Sequence, residues 1–542
     1  MKIWQKQLSD DRMLWREKYR NDPSFWLGRS QCGIVSTAHY RATAVGVDIL
    51  SKGGNAIDAA IATSLALGVV EPAGSGLGGM TMMMIYLSSS KRTFALDGSC
   101  KAPLSATPEE VTRFPRKRGY RAIAVPSNPA VLDFALRHYG TCTIEDLLEP
   151  VIKIAEEGYP ITLQQYNLTK RYRKSLSEGT AAKFMLGSDN DPLPPGTLFR
   201  QPVLARTLRI IQKAGFKDFY TGEIGCQIVA DMIGHNGFIR KTDLANIPWP
   251  VEREPITCQF GDWTISTLPP PGGGTTLIQM LQLFDELVPS NFDPDSPEAA
   301  ILFAQIIKRV RFDRRKYRFG KFSGKAGNLP DLTSSKYAKK VAVELRSKSD
   351  GIGETSHLSI IDRVGNTVAM TQSLERCFGA KIATEALGFL YNGYMKTYKI
   401  ENKRHPFYLR PGAAARSNAA PTIIFKQGVP IYALGSTGSE RMVSGIFQVI
   451  VRLKYQTPFQ AVQAPRLHCT PDGEVLLEAD RFSDLAIKAL EKHGFKIHRL
   501  KSWSFKVGGL QLAAFDGRLF VGVADPRRDG AVAGPDRIQG VS

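Results

Sequence analysis

Apolar and polar positions alternate with a period of two from Thr355 to Ile361, break at Asp362-Arg-Val-Gly-Asn366, and resume from Thr367 to Ser373. That period belongs to a strand with one face on each side, and the break is rich in turn residues, so the pattern predicts a β-hairpin. The turn centres on Val364, midway between 355 and 373, which sets Thr355 opposite Ser373. Opposed residues on a hairpin have Cβ atoms about 4.5–5.5 Å apart, within reach of a hydroxyl–hydroxyl hydrogen bond. Elsewhere, Cys32–Ser36 reads as a short strand, and Ala42–Ser51 and Asn55–Val70 as two helices, the first ended by Gly53-Gly54. Met80–Leu87 reads as a buried strand. Residues 128–160 and 200–235 read as helical, as do Leu277–Leu287 and Met442–Leu453. The polar, glycine-bearing stretch from 326 to 354 is the best internal linker, open to cutting at its end.

Composition narrows the class. With 542 residues, 43% hydrophobic and 23% charged, the chain has ample material for a large core. Residues 1–31 read as a charged N-terminal arm without the apolar stretch of a secretory signal. The longest apolar run, Ala59–Val70, falls short of the roughly 20 residues that span a bilayer. No transmembrane segment is expected, and the location expected is the cytoplasm. Seven scattered cysteines without a C-x-x-C pair fit free thiols in a reducing compartment. Eight histidines show no ligand spacing, so neither metal nor cofactor is expected. The net charge of +20 is concentrated in part in Lys308-Arg-Val-Arg-Phe-Asp-Arg-Arg-Lys-Tyr-Arg318. No nucleic-acid motif accompanies it, and no nucleic-acid partner is expected. Gly74-Ser-Gly-Leu-Gly-Gly79 matches G-x-G-x-x-G, but it follows a helix and precedes a strand, the reverse of a dinucleotide loop.

Several separated segments resemble the γ-glutamyltranspeptidase family. These are Lys52–Ala60 with Ser75–Gly79, Ala124-Val-Pro126, Phe219-Tyr-Thr-Gly222, Pro269-Pro-Pro-Gly-Gly-Gly274, Ala464-Pro-Arg-Leu-His468 and Ala524-Asp-Pro-Arg-Arg-Asp-Gly530, in the family's order. The resemblance implies an α+β fold, the four-layer αββα sandwich of N-terminal-nucleophile hydrolases. It also implies self-cleavage between Glu354 and Thr355 into products 1–354 and 355–542, with the large-subunit part 32–354 and the small-subunit part 355–542 staying together as one composite domain. The expected partners are a small-molecule amide, water or an amine as acceptor, and each fragment for the other; a homodimer is left open.

The chemistry follows from the residue types. An N-terminal threonine carries its own base, because its α-amine titrates near 8, and a neutral amine can take the hydroxyl proton. Thr355 would then be the nucleophile, with Ser373 holding its hydroxyl. The family's oxyanion donors, two consecutive backbone N–H groups of a Gly-Gly pair in a glycine turn, fall on Gly438 and Ser439, and its Ser-Ser pair on Ser417-Asn418. The family's arginine, asparagine and acidic residue for the glutamyl head fall on Ser99, Glu375 and Thr397. Glu375, expected on the same strand face as Ser373, would repel an α-carboxylate by about 4 kcal/mol at roughly 4 Å, unless Arg376, Lys396, Lys101 or Arg416 neutralises it. The expectation is a γ-glutamyl amide hydrolase and acyltransferase. Its alternatives are the same machinery acting on another amide (an acyl-amino acid, a β-lactam side chain or an oxamate-like molecule), or a non-catalytic binding relative.

Overall fold

The computed structural model describes residues 3–14, 16–112, 118–322, 329–342 and 355–537. Its core is two seven-stranded antiparallel sheets lying face to face. In the first, strands run in the order Ala531–Ala533, Gly33–Thr37, Ser356–Asp362, Thr367–Ser373, Met80–Leu87, Arg92–Gly98 and Val251–Arg253. In the second the order is Leu27–Ser30, Phe520–Ala524, Leu510–Phe515, Val429–Ser436, Thr422–Lys426, Trp263–Thr267 and Ile256–Phe260. The predicted hairpin is therefore the centre of the first sheet. Its register pairs Ser356 with Gln372 and Ile361 with Thr367, as the turn centred on Val364 requires.

Alternation along the strands builds three apolar layers. Leu358, Ile360, Val368 and Met370 point outward, onto the helices Tyr40–Ser51 and Ala56–Val70. Ile361, Ala369, Met82 and Met84 point inward and meet Ile423, Ala433 and Ala513 of the second sheet. Beyond that sheet, helices Gly274–Leu287, Pro297–Tyr317 and Arg441–Arg452 close the sandwich through Leu277, Ile306 and Phe447. This is the αββα order expected. Helix Ala56–Val70 is apolar on all sides because it is buried on all sides. Asn55 and Asp58 form a capping box at its start. Asp362 of the hairpin turn accepts the Ala56 N–H at 3.0 Å and ties the helix to the hairpin.

Some elements depart from the periodic reading. The stretch read as helical over 128–160 is two helices, Asn128–Tyr139 and Ile144–Glu157, and 200–235 is three, Pro202–Ala214, Asp218–Thr221 and Glu223–Gly234. The first thirty residues are not a free arm: Leu27–Ser30 is an edge strand, and Trp4, Leu8 and Met13 are buried. Sparse apolar residues at uneven spacing hid that packing. Within the expected linker, Ser335–Ala342 is a helix buried through Ala338 and Val341. Residues 343–354, up to the expected cleavage residue Glu354, lie outside the described residues. Among those described, no helix is long and apolar enough to cross a membrane.

Candidate active site

Thr355 opens the central strand, 2% exposed, with its hydroxyl 3.1 Å from that of Ser373. Ser373 Oγ also accepts the Glu375 backbone N–H at 2.8 Å. Two glycines of the G-x-G-x-x-G segment explain how so much backbone fits here. A Cβ on Gly74 would stand 2.7 Å from Ser356 Oγ, and one on Gly79 would stand 2.7 Å from the Ser373 carbonyl. The segment is thus a close-packed floor under the hairpin ends, and its spacing reflects sterics, not phosphate binding.

Beside Thr355 a cavity of ≈ 210 Å³ opens, walled by Ser373, Glu375 and Thr397 on one side and Ser417, Asn418 and Ser439 on the other. Strand Val429–Ser436 runs into the turn Thr437–Glu440, so Leu434 to Ser436 belong to the strand and not to the glycine-rich turn. Helix Arg441–Arg452 follows directly, and its positive end faces the cavity through Met442. Gly438 and Ser439 both have positive φ, 106° and 57°. Among the described residues neither backbone N–H donates to another protein group. This is what an oxyanion site requires of its donors. Ser439 stands where glycine costs least; Ser439→Gly is expected to keep kcat within a few-fold and to stabilise the fold by up to about 1 kcal/mol. Steady-state kinetics with thermal unfolding checks this, and a large fall in kcat would show that the hydroxyl itself is needed.

Ser417 and Asn418 are held from behind. Arg314 of helix Pro297–Tyr317 donates to the Ser417 carbonyl and to Asn418 Oδ1, both at 3.3 Å, and to Thr276. The Pro269–Thr276 loop does not wall the cavity; it supports this pair, with Gly273 N–H bonded to the Ala419 carbonyl at 2.7 Å and Ser417 N–H to that of Pro271 at 3.1 Å. Arg311, from the same basic helix, pairs with Glu440 in the 437–440 turn. A buried polar chain links the two sides of the site. Ser356 Oγ donates to Glu71, Glu71 lies 3.6 Å from Arg528, and Arg528 donates to Thr437 Oγ1 at 2.9 Å. Glu71 did not stand out in the sequence, and Arg528 did so only as part of the Ala524–Gly530 segment, with no role assigned.

His357 follows Thr355 by two residues and faces between the sheets. Its Nδ1 lies 2.8 Å from Thr371 Oγ1 and its Nε2 3.0 Å from Ser359 Oγ, and Ser359 donates onward to the Gln511 carbonyl at 3.2 Å. Burial pushes its pKa down to about 3. So weak a base cannot serve Thr355 at neutral pH.

The substrate-head positions fare unequally. Ser99 is not on the cavity wall: it is 2% exposed and donates to Asp97 Oδ1 at 2.6 Å. Thr397 is on the wall. Glu375 reaches it too, but not by strand pleating. The strand ends at Ser373, and Glu375 turns in with φ +76°. There it pairs with Lys396 at 2.8 Å, one of the four cations named from the sequence as able to neutralise it. Burial pushes the Glu375 carboxyl up, against the pull of Lys396 and Arg376. Tyr394, absent from the sequence reading, also lines the cavity, its hydroxyl between Ser373 and Ser417.

A four-layer sandwich whose central strand opens on a hydroxyl residue facing a cavity defines the N-terminal-nucleophile hydrolase fold. A sequence model of the family described as "Gamma-glutamyltranspeptidase" matches residues 42–535. Glutathione hydrolase proenzyme of Bacillus subtilis (strain 168) is 30% identical over 544 residues, covering 93% of this chain and 91% of its own. Acylase ACY 1 proenzyme of Pseudomonas sp. (strain SE83) is 30% identical over 527 residues, 92% of each. The crystal structure of cephalosporin acylase from Bacillus halodurans superposes with a TM-score of 0.86 at 27% identity, covering 94% of this chain and 96% of that one. The chain belongs to the γ-glutamyltranspeptidase family and, with it, to the hydrolases and acyltransferases.

Proposed function

We propose that the chain cuts itself before Thr355 and then transfers the acyl group of a γ-glutamyl amide of the glutathione type to water or an amine. The carrying observation is the Thr355 hydroxyl, 3.1 Å from Ser373, on a cavity lined by Ser439, in the 438–439 turn whose N–H groups donate to no protein group among the described residues. In processing, Thr355 Oγ attacks the Glu354 carbonyl carbon, the peptide bond breaks to leave an ester, and water releases Glu354. In turnover the new α-amine takes the Oγ proton, and Oγ attacks the donor carbonyl. The Gly438 and Ser439 N–H groups receive the oxyanion. Collapse expels the amine, which carries away the proton held by the Thr355 ammonium. Water or an acceptor amine then attacks the ester and frees Thr355. Ser373 keeps the hydroxyl on line throughout.

Fragments 1–354 and 355–542 would stay associated, and the cysteines, none of them in a disulfide among the described residues, support a reducing, cytoplasmic setting. A second reading keeps the machinery but changes the amide, as the acylase relative's name suggests. The turning of Ser99 to Asp97 favours it. Denaturing electrophoresis with N-terminal sequencing tests the main reading: two fragments are expected, one starting at Thr355. They should release nitroaniline from a γ-glutamyl nitroanilide, with kcat rising as the pH passes about 8. A chain that stays whole on long incubation overturns it.

A further inference from the structure

We infer that the cavity at the far ends of helices Pro297–Tyr317 and Arg441–Arg452 is a second site, separate from the Thr355 cavity, and that it holds a free α-amino acid by its charged head. The inference is independent of the role proposed for Thr355. The two helices run from one cavity to the other. Arg311, Arg314 and Met442 stand at the Thr355 end, and Ser296, Gln448 and Arg452 at the other. Helix Arg441–Arg452 alone is about 18 Å long. The second cavity has a volume of ≈ 410 Å³, and among the described residues none lines both.

Arg452, on the wall of this cavity, supplies the half of the head site that takes a carboxylate. Its side chain is 3% exposed, and it uses only Nη1, on Asp295 at 2.5 Å and weakly on Gln456 at 3.5 Å. Nε is buried without a partner, and Nη2 donates to no protein group among the described residues. Nε–H and the adjacent Nη2–H are the parallel pair of donors that a carboxylate accepts. The charges nearby decide against a simple anion. Arg481, on the same wall, is spent on Glu478 at 3.2 Å, on the Gln463 carbonyl at 2.7 Å and on the face of Trp503. Behind it, Arg527 and Arg466 are matched by Glu478 and Asp525. Burial lowers the Arg452 pKa, with Arg527 adding to it and Asp295 and Asp293 opposing it. The arginines are thus met by as many carboxylates, and a ligand bringing both signs suits the cavity better than a bare anion. Asp295 supplies the other half. It is half-exposed and accepts one bond on each oxygen, from Arg452 on Oδ1 and from Gln456 on Oδ2 at 2.7 Å, which leaves a lone pair on each for an ammonium.

Calorimetry on the full chain with three compounds that differ only in the head separates the terms: L-2-aminobutyrate (both groups), butyrate (carboxylate only) and propylamine (ammonium only). 2-Aminobutyrate is expected to bind roughly ten- to 100-fold more tightly than either of the others. Arg452→Met should weaken it by at least about ten-fold. Asp295→Asn should leave butyrate binding no weaker and remove the advantage of 2-aminobutyrate over it. Asp295 is half-exposed, so this second change decides the matter even where Arg452→Met fails to fold. Arg416→Met, on the wall of the Thr355 cavity, should leave the binding unchanged. Absence of 2-aminobutyrate binding, equal affinity for the three compounds, or binding that survives both Arg452→Met and Asp295→Asn overturns the site. Loss in Arg416→Met alone overturns it too, by placing the ligand beside Thr355.

Discussion

Thr355→Ala yields a single uncut chain without measurable acyl transfer, a loss of roughly 10⁴–10⁶-fold in kcat, if the hydroxyl is both scissors and nucleophile. The fold should survive the change. The substitution removes one hydrogen bond at the first position of a strand, and Ser373 keeps the Glu375 N–H, so the cost is about 1 kcal/mol. Thr355→Ser retains the hydroxyl and should still be processed, more slowly. Intact-mass measurement on the three proteins decides the matter. A Thr355→Ala chain that still splits at the same bond would place the nucleophile elsewhere.

Arg527→Met is expected to destabilise the chain by about 3–5 kcal/mol, measured by urea unfolding of the uncut protein. Arg527 is fully buried and donates to Glu478 Oε1 at 2.9 Å, to Asp525 Oδ1 at 3.1 Å and to the Ala464 carbonyl at 2.9 Å. Arg466, equally buried, pairs with Asp525, which also accepts the Leu510 N–H at 2.8 Å. Burial alone would push both carboxyls up; the arginines overcome it and hold Glu478 and Asp525 below the usual range. A carboxyl lowered on folding stabilises fully above its unfolded pKa and less as the pH falls. The network's contribution should therefore fade from about pH 5 downward. Arg527→Met combined with Glu478→Gln should recover part of the loss, since the damage lies in the stranded carboxylate. Simple additivity of the two changes would argue against that coupling.

Much of the site could be read from the chain because it rests on period two. A centred turn and alternating residues fix which side chains oppose each other, and Thr355 and Ser373 obey that geometry alone. Gly438, Ser439, Ser417 and Asn418 came through resemblance, and the structure gathers them, with Gly438 one residue behind the wall. Glu375 shows where the pleat stops being a guide: one left-handed residue past a strand end re-aims a side chain, and periodicity says nothing of it. Lys396 could not be chosen over three other cations, since its partner lies across a loop and not along an element. The strand Leu27–Ser30 was lost for a related reason. Half-buried edge strands carry little alternation, and this one is recognised by its partner Phe520–Ala524, nearly the whole chain away.

The hairpin from 356 to 373 lies between two strands from the other side of the proposed cut, Gly33–Thr37 and Met80–Leu87. In the uncut chain these strands share one tether, and after unfolding they find one another at the millimolar effective concentration a covalent link provides. Scission would remove that link. The cut protein would keep the strand pairing, but its reassembly would become a bimolecular event that slows with dilution. The precursor would refold after heating and the cut form would not, so maturation would trade reversibility for reactivity.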